Sequence, residues 1–421
     1  MKESTAQRGV GAVYGTSRTR PFDRWFRYPA GFSPDALAAA VEAIGTAPRY
    51  VAEPFCGTAT VAAALGPGRQ MAGIEAHPLI AELGALKLRV PRNSAADLRR
   101  TAERIAEQAR KNNAPDTSGE HPLVHRCFTQ PVLEELVALR TELESRPRSS
   151  WRGHLKWALL ATLRDVASVK VGWPYQRPSH SREAPHRDPS ARFLARAEMM
   201  AADLEVGPGL SGGSVTRGDA RRAASWRRAA AGRPFDGCVT SPPYLNNFDY
   251  ADATRLELYF LESGWSWGEM CRRVRSDMLV ATTQQSSRER SARALRQVGR
   301  HPTVAAEVER LHARLVEERA RRPRGKEYDQ VLPTYFADMA LILAQLRNHT
   351  SPGARCAWVI GDSAPYAVYI DTPKLIGHLA EDLGFEVLED TKIRSRGARW
   401  RTNGTRHQVA LSERLLIFKR R

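Results

Sequence analysis

The chain has 421 residues, 42% of them hydrophobic, which suffices for a large globular core and excludes wholesale disorder. Its formal net charge of +18 favours a polyanionic partner, most often nucleic acid, although the Arg-rich composition of a high-GC genome is an alternative source of part of this charge. Five scattered cysteines without a Cys-x-x-Cys pair argue against a zinc site or a disulfide scaffold, so we expect no metal and a reducing compartment.

The N-terminal segment, residues 1–19, is polar and lacks the apolar core of a signal peptide. No stretch of the chain approaches the roughly 20 apolar residues that span a membrane. We therefore expect a cytoplasmic protein with no membrane contact.

The first part of the chain alternates strands and helices. Ser33-Pro34 predicts the start of a helix that runs to about Ile44, with Ser as the N-cap and Pro in the first turn. Tyr50–Ala52 and Met71–Glu75 are predicted strands, separated by a helix that begins at Val61. This order is typical of the opening of a doubly wound α/β sheet.

A loop suited to a ligand follows the first strand: Glu53, Pro54, Phe55, Cys56, Gly57, Thr58 and Ala59. A Gly here lets the backbone approach a ligand, and the following helix offers free N–H groups. Neither a Walker loop nor a dinucleotide fingerprint is present, and an acid in the loop would repel a pyrophosphate. The Glu53 carboxylate can instead receive a cation, such as the amino group of an amino-acid-bearing nucleoside.

Two more acids occupy nucleotide-binding positions. Glu75, at the end of the second strand, stands where α/β sheets place a ribose-binding acid. Asp219, with Ala220 beside it, follows a third predicted strand, Ser214–Thr216, and can accept a hydrogen bond from an adenine amino group. Together with Glu53 these residues predict a site for S-adenosyl-L-methionine; the alternative is that each is an ordinary turn acid.

Helices interrupt the alternation twice. Residues 93–205 are predicted to be mostly helical, over Ala95–Lys111, Gln130–Glu144 and Trp151–Lys170, with a polar stretch at Tyr175–Pro189. Residues 264–330 form a second, Arg-rich helical segment. Both are candidates for target recognition, since Arg-rich helices bind phosphates, although a solvated helix face is an equal alternative.

The remaining segments complete the sheet. Residues 1–92 hold the cofactor-binding part, 206–263 the catalytic part and 331–421 the C-terminal part of one domain. The C-terminal part is predicted to contain a helix over Tyr335–Leu346 and strands over Ala354–Ile360, Phe385–Leu388 and Leu411–Lys419, with a basic loop at Lys392–Arg406.

The catalytic part is predicted from a buried strand that stops abruptly. Phe235–Thr240 is followed by Ser241, Pro242, Pro243 and Tyr244, and prolines cannot continue a central strand. Ligands bind at the carboxyl ends of parallel strands, so a hydroxyl, free carbonyls and an aromatic ring meet at a predicted site. These groups suit the recognition of a nucleobase amino group.

The motif Thr240-Ser241-Pro242-Pro243-Tyr244 resembles that of the DNA amino-methyltransferases, and residues 53–60 resemble their Asp-Pro-Phe-Cys-Gly-Ser-Gly-Thr loop. Glu53 replaces the Asp of this loop, and Ala59 replaces its second Gly. Residues 28–34, beginning with Tyr28, are similar to a segment that covers the methionine end of the cofactor. The resemblance implies the Rossmann-like, seven-stranded, mostly parallel α/β sheet of class I S-adenosylmethionine-dependent methyltransferases, with a helical insertion.

The resemblance also implies roles for the motif. The Ser241 hydroxyl and the Pro242 carbonyl would accept hydrogen bonds from the target amine, and Tyr244 would stack on the base, a contact worth roughly 1–3 kcal/mol. A base within a duplex must first be flipped out. Phe248 and Tyr250 are candidates for the pocket wall, or for packing of the next helix.

Ser in the first motif position is usual in N4-cytosine enzymes, so we expect a methyltransferase acting on cytosine N4 in double-stranded DNA. Restriction–modification or defence is the expected context, with a cognate restriction enzyme as a possible partner. The alternatives are an N6-adenine DNA methyltransferase, an RNA amino-methyltransferase and, less favoured, a non-catalytic nucleic-acid-binding protein.

Overall fold

The structure is a computed structural model. It describes residues 19–28, 33–89, 94–111, 114–169, 171, 187–207, 212–246, 249–396 and 408–421. The predicted cover segment after Tyr28, most of the polar stretch at Tyr175–Pro189, Phe248 and most of the basic loop at Lys392–Arg406 lie outside these ranges.

Seven strands form one sheet in the described part of the chain. They are β1 (Tyr50–Glu53), β2 (Gln70–Glu75), β3 (Gly212–Arg217), β4 (Phe235–Thr240), β5 (Thr350–Gly361), β6 (Phe385–Arg396) and β7 (Leu411–Arg420). Their order across the sheet is β3-β2-β1-β4-β5-β7-β6, and only the β7 pairings with β5 and β6 are antiparallel. The expected Rossmann-like, seven-stranded, mostly parallel α/β sheet is confirmed.

The helices of the described residues divide between the sheet and the insertions. The first four are α1 (Pro34–Ala43), α2 (Thr60–Leu65), α3 (Pro78–Leu88) and α4 (Ala95–Lys111). The next four are α5 (Pro122–Cys127), α6 (Gln130–Glu144), α7 (Arg152–Val166) and α8 (Pro189–Val206). The others are α9 (Ala223–Ala230), α10 (Arg255–Leu261), α11 (Trp267–Arg273), α12 (Arg288–Val298), α13 (Pro302–Ala320), α14 (Tyr328–His349) and α15 (Thr372–Asp382).

Alternation along the strands gives the sheet two buried faces. Val51 and Val239 pack with α1 and α2 on one face, whereas Ala52 and Cys238 pack with α9, α12 and α14 on the other. The expected helical insertion between β2 and β3 has its own core, in which α4, α6, α7 and α8 pack around Leu136 and Trp157.

Several element boundaries differ from the predictions. Helix α7 ends at Val166, four residues before the predicted end, because Ala167 leaves the helical region at φ −59° and ψ 133°. Strand β6 continues to Arg396, so the first five residues of the predicted basic loop belong to this strand, and four of them pair with β7. Helix α14 begins at Tyr328, seven residues before the predicted start, and holds Pro333 in its second turn.

The strand order reverses between β1 and β4, which are parallel neighbours. On one side of this position, β1 is flanked by β2 and then β3. On the other side, β4 is flanked by β5, β7 and β6. A crevice opens at such a switch point, outside the carboxyl ends of the strands. Glu53 ends β1 and Ser241 follows β4, so the fold brings the two predicted halves of the site to one place.

Candidate functional site

A cleft with about 710 Å³ of empty volume lies at this edge of the sheet. It joins the predicted cofactor residues with the motif after β4. The predicted site residues that line it are Tyr28, Pro54, Phe55, Gly57, Glu75, Asp219, Ala220, Ser241 and Pro243, together with Tyr250, a candidate for the pocket wall. Residues separated by more than 200 positions therefore share one surface.

The Glu75 carboxylate fixes the loop between β1 and α2 by hydrogen bonding. Its Oε2 accepts a hydrogen bond from Gly57 N at 2.9 Å, and its Oε1 accepts from His77 N at 2.7 Å. Gly57 has φ +51° and Ala59 has φ 61°, the left-handed region that favours glycine. Ala59 thus keeps the backbone turn that glycine gives the loop it resembles, and it carries the strain of doing so.

Glu53 is 2% exposed, and its Oε2 has no hydrogen-bond partner among the described residues. Burial raises the pKa of this carboxyl well above its usual range, and the nearby Cys238 and Glu75 raise it further. A buried acceptor without a partner costs free energy. A ligand that supplies a hydrogen-bond donor or a positive charge to Glu53 would therefore remove this free-energy cost.

Two further groups on the cofactor side have shifted pKa values. Burial raises the pKa of Glu75 to about 7, even though the backbone N–H groups of His77 and Gly57 act in the opposite direction. Burial and the neighbouring Glu75 also raise the pKa of the Tyr28 phenol well above its usual value, so this hydroxyl stays protonated. Both side chains can donate or accept hydrogen bonds at neutral pH.

Asp219 reaches the cleft but is already paired. Its Oδ1 accepts from Arg221 N at 2.9 Å and from Arg221 Nε at 2.8 Å, and its Oδ2 accepts from Arg221 Nη2 at 3.0 Å and Arg222 Nε at 3.2 Å. Arg221 also donates to Asp338 of α14 at 2.8 Å. A carboxylate offers about four acceptor sites, and these contacts use them.

The motif after β4 leaves the sheet as predicted. Ser241 is partly buried and lines the cleft beside Pro243. The carbonyl of Pro243 accepts a hydrogen bond from the Tyr335 hydroxyl at 2.9 Å, and Asn246 N donates to Ala281 O at 2.8 Å. The turn is thereby fixed to α14 and to the segment before α12.

Tyr244 is only 9% exposed and does not line the cleft. Its hydroxyl donates to Glu413 Oε1 at 2.9 Å, and Ser241 Oγ donates to the Tyr244 oxygen at 3.4 Å. The guanidinium carbon of Arg396 lies 4.8 Å from the ring centroid. The ring that was predicted to stack on a base is therefore covered by an arginine of the chain itself.

Four other predicted residues do not line the cleft: Glu53, Cys56, Thr58 and Pro242. Cys56 is buried, and a Cβ placed on Gly73 would come within 2.6 Å of its Sγ, so its side chain packs against β2. The Oγ1 of buried Thr58 lies 3.4 Å from that of Thr60. Cys56 and Thr58 thus shape the cofactor loop from its buried side.

The cleft also contains residues that the sequence prediction did not single out, including Arg221, Asp277, Met278, Leu279, Gln285 and Ile342. Those from 277 to 285 belong to the second insertion, which was considered only for its arginines. The apolar run Met278–Ala281 within this polar segment was a usable signal, because such a run is typical of a buried stretch.

The predicted target-binding surfaces differ in how their arginines are paired. On α13, Arg310 pairs with Glu307 at 2.6 Å, and Arg321 and Arg322 both pair with Glu318 at 2.7 Å. On α12, Arg293 and Arg296 are exposed and have no ion pair with any residue that the structure describes. Helix α12 therefore carries exposed positive charge that no described residue neutralises.

Metal-binding clusters and membrane-spanning helices are both absent from the described residues. No group of three or more His, Cys, Asp or Glu side chains there is arranged to hold a metal ion. No helix within the same ranges has both the length and the apolar character needed to cross a membrane.

Comparisons with known proteins give partial matches, and no family model matches the chain. The Type II methyltransferase M.BsoBI of Geobacillus stearothermophilus is 27% identical over 199 residues, which are 44% of this chain and 38% of that protein. The Type II methyltransferase M.AvaI of Nostoc sp. PCC 7120 is 26% identical over 159 residues, 36% of this chain and 31% of that protein. The chain thus matches well under half of each relative's length.

Among solved structures, the rRNA methyltransferase aviRa from Streptomyces viridochromogenes aligns with 97% of this chain and 88% of its own, at 12% identity. Its TM-score of 0.27 is too low to support an argument. The sequence matches support a relationship to methyltransferases and do not address the Ser-Pro-Pro-Tyr subtype: over less than half its length, this chain is similar to Type II methyltransferases.

Proposed function

We propose that this protein is an S-adenosylmethionine-dependent DNA methyltransferase that transfers a methyl group to the exocyclic N4 amine of cytosine in double-stranded DNA. The observation that carries the proposal is that Ser241 lines the same cleft as Glu75 and Asp219, at the switch point between β1 and β4. The Type II methyltransferase relatives support methyl transfer and a restriction–modification context, with a cognate restriction enzyme as the expected partner.

The residues present fit S-adenosylmethionine. The unpartnered Oε2 of Glu53 would accept from the ammonium of the methionine moiety, and Glu75 would accept from the ribose hydroxyls. Pro54, Phe55 and Gly57 would form the wall beside it, with Tyr28 across the cleft. When bound, this group supplies an electrophilic methyl group.

An adenine amino group would approach Asp219 and the adjacent Ala220. All the acceptor sites of Asp219 are in use, so the amine would replace the weakest contact. That contact is the 3.2 Å bond from Arg222, whose side chain is 67% exposed and can turn into solvent. Arg221, 11% exposed and bound to Asp338 as well, would stay in place and hold the carboxylate in position.

The target amine is a poor nucleophile because its lone pair is delocalised into the ring. Hydrogen bonds to the Ser241 hydroxyl and the Pro242 carbonyl would favour a tetrahedral nitrogen with an available lone pair. The Pro243 carbonyl is already occupied by Tyr335, which leaves the Pro242 carbonyl as the acceptor of the motif. Such positioning and fixed dipoles are the main sources of rate enhancement in a reaction without a covalent enzyme intermediate.

A cytosine in a duplex has to leave the helix to reach this cleft, at a cost of a few kcal/mol. The flipped base would stack on the Tyr244 ring in exchange for the Arg396 guanidinium. The net charge of +18 and the exposed arginines of α12 would supply the attraction to the phosphate backbone.

The test is an assay with methyl-labelled S-adenosylmethionine and unmethylated double-stranded DNA, with single-stranded DNA and RNA in parallel, followed by digestion and identification of the labelled nucleoside. We expect N4-methylcytosine from double-stranded DNA. Ser241→Ala should abolish the label, and the exposed Ser118→Ala is the matched control that should retain it. N6-methyladenine, or label confined to RNA, would contradict the proposal.

A further inference from the structure

The hydroxyl of Tyr244 has a buried partner far away in the sequence. Glu413, at the start of β7, is 5% exposed and accepts from this hydroxyl at 2.9 Å. Because Ser241 Oγ donates to the same hydroxyl oxygen, Ser241 and Tyr244 are both connected to one carboxylate. A tyrosine that only stacked on a base would need a ring and no hydroxyl partner.

Glu413 is in turn held by Arg394 of β6, its cross-strand neighbour. Arg394 Nε donates to Glu413 Oε2 at 2.5 Å, and Arg394 Nη2 donates to Oε1 at 3.0 Å. This bidentate geometry fixes the plane of the carboxylate and therefore the direction of the Tyr244 bond. Buried ion pairs add little net stability, so orientation is the property that this pair supplies.

The ring of Tyr244 is restrained as well as its hydroxyl. Arg396 lies over the ring, and its Nη1 donates to Asp362 O at 3.1 Å. The arrangement requires Gly361, since a Cβ there would come within 2.0 Å of Arg396 Nη1 and 2.8 Å of Tyr244 Cδ2. Residues at the carboxyl end of β5, on β6 and on β7 thus surround the motif tyrosine.

We propose that Glu413, supported by Arg394, is a positioning residue for the catalytic motif. It fixes the Tyr244 hydroxyl, and through it the ring and the Ser241 hydroxyl, in the orientation that receives the target base. This role rests on the proposed methyl transfer to a nucleobase amine. Neither Glu413 nor Arg394 lines the cleft, so both act through Tyr244 and not on the substrate.

The test compares Tyr244→Phe, Glu413→Ala, Glu413→Gln and the double variant Tyr244→Phe with Glu413→Ala. Each of Tyr244→Phe and Glu413→Ala should lower kcat about tenfold and leave the KM for S-adenosylmethionine unchanged. The double variant should be no slower than either single variant, because both remove the same hydrogen bond. Glu413→Gln keeps an acceptor for the hydroxyl and should recover several-fold of the activity that Glu413→Ala loses.

Glu386→Ala is the matched control, since it removes an exposed pair with Lys419 at the far end of the same β6–β7 ladder. It should retain the kcat of the unaltered protein. Full activity in Tyr244→Phe or Glu413→Ala, or losses that multiply in the double variant, would overturn the positioning role. Failure of the proposed function is distinguishable, because the unaltered protein would then label no nucleic acid or would yield a nucleoside other than N4-methylcytosine.

Discussion

The cofactor side and the catalytic side of the cleft each have a buried carboxylate, Glu53 and Glu413, and the two differ in their hydrogen bonding. On the cofactor side, the buried Oε2 of Glu53 has no hydrogen-bond partner among the described residues. On the catalytic side, the Ser241 hydroxyl donates to the Tyr244 oxygen, and the Tyr244 hydroxyl donates to Glu413. Arg396 covers the tyrosine ring. The cofactor side therefore has an acceptor ready for a ligand, whereas the catalytic side has to exchange internal contacts when its ligand binds.

This difference has an energetic consequence. An unpaired buried carboxyl lowers the stability of the ligand-free protein, and a cationic ligand removes that cost on binding. A hydrogen-bonded cluster stabilises the ligand-free protein, and a ligand must compete with its contacts. Cofactor binding should therefore depend on single side chains near β1, whereas target binding should depend on how the cluster behind β4 rearranges.

The largest expected effect separates the two sides. Ser241→Ala removes the hydroxyl that would accept from the target amine, so kcat should fall by about 10²-fold or more. The Kd for S-adenosylmethionine, measured by calorimetry, should change by less than about threefold, since the cofactor contacts are across the cleft. A parallel loss of cofactor affinity would break the distinction between the sides.

The next effect tests the unpaired carboxyl. Glu53→Gln should weaken S-adenosylmethionine binding by about 10- to 100-fold, because a hydrogen bond to a charged group is worth about 1.5–3 kcal/mol. The same variant should raise the urea midpoint of the ligand-free protein, because the desolvated carboxyl is gone. Asp35→Asn, an exposed change in the first turn of α1, is the control for charge removal. Equal affinity in Glu53→Gln would show that the ligand does not use this acceptor.

A smaller effect concerns Glu75 and pH. Its pKa is about 7 in the folded protein and about 4.5 when unfolded, so the folded state holds the proton more tightly. The free energy of unfolding should therefore fall as the pH rises from about 4.5 to about 7, and this contribution should be constant above that range. Denaturant unfolding at pH 5 and pH 8 should show a difference on the order of 2 kcal/mol that Glu75→Gln lacks. Identical pH dependence in both proteins would contradict the assignment.

Sequence patterns predicted the parts of this molecule that local chemistry determines. Strand alternation and turn residues were sufficient for the sheet, as with the Ser33 side chain that accepts from Ala36 N at the start of α1. The abrupt end of β4 followed from two prolines. The cofactor loop was recognisable because its glycine and acid lie within seven residues of each other.

The environment of Tyr244 was not predictable in the same way. Its partner Glu413 is 169 positions away, and the Arg396 that covers it belongs to a strand predicted to end at Leu388. The pairing of Asp219 with Arg221 could not be predicted for a different reason. Acidic and basic residues that lie close together in the sequence carry no signal that distinguishes a ligand contact from an internal one. Contacts of this kind are set by tertiary packing, which no local pattern encodes.

The smallest expected effect extends the comparison to the outer surface. The exposed Arg293 and Arg296 of α12 have no ion pair among the described residues, whereas Arg310 of α13 is paired with Glu307. If unpaired charges await a ligand here as in the cleft, Arg293→Ala with Arg296→Ala should weaken DNA binding about threefold to tenfold and lower the slope of log K against log salt by about 2.

Arg310→Ala is the matched control, and its affinity and salt slope should stay near those of the unaltered protein, because that arginine is already neutralised by its neighbour. Fluorescence anisotropy of a labelled duplex over a salt series measures both quantities. Equal losses of affinity in the α12 and α13 variants would mean that ion pairing in the free protein does not decide which arginines contact DNA. The ion pairs on the helix surface would then open as readily as the Arg222–Asp219 contact proposed for the cofactor side.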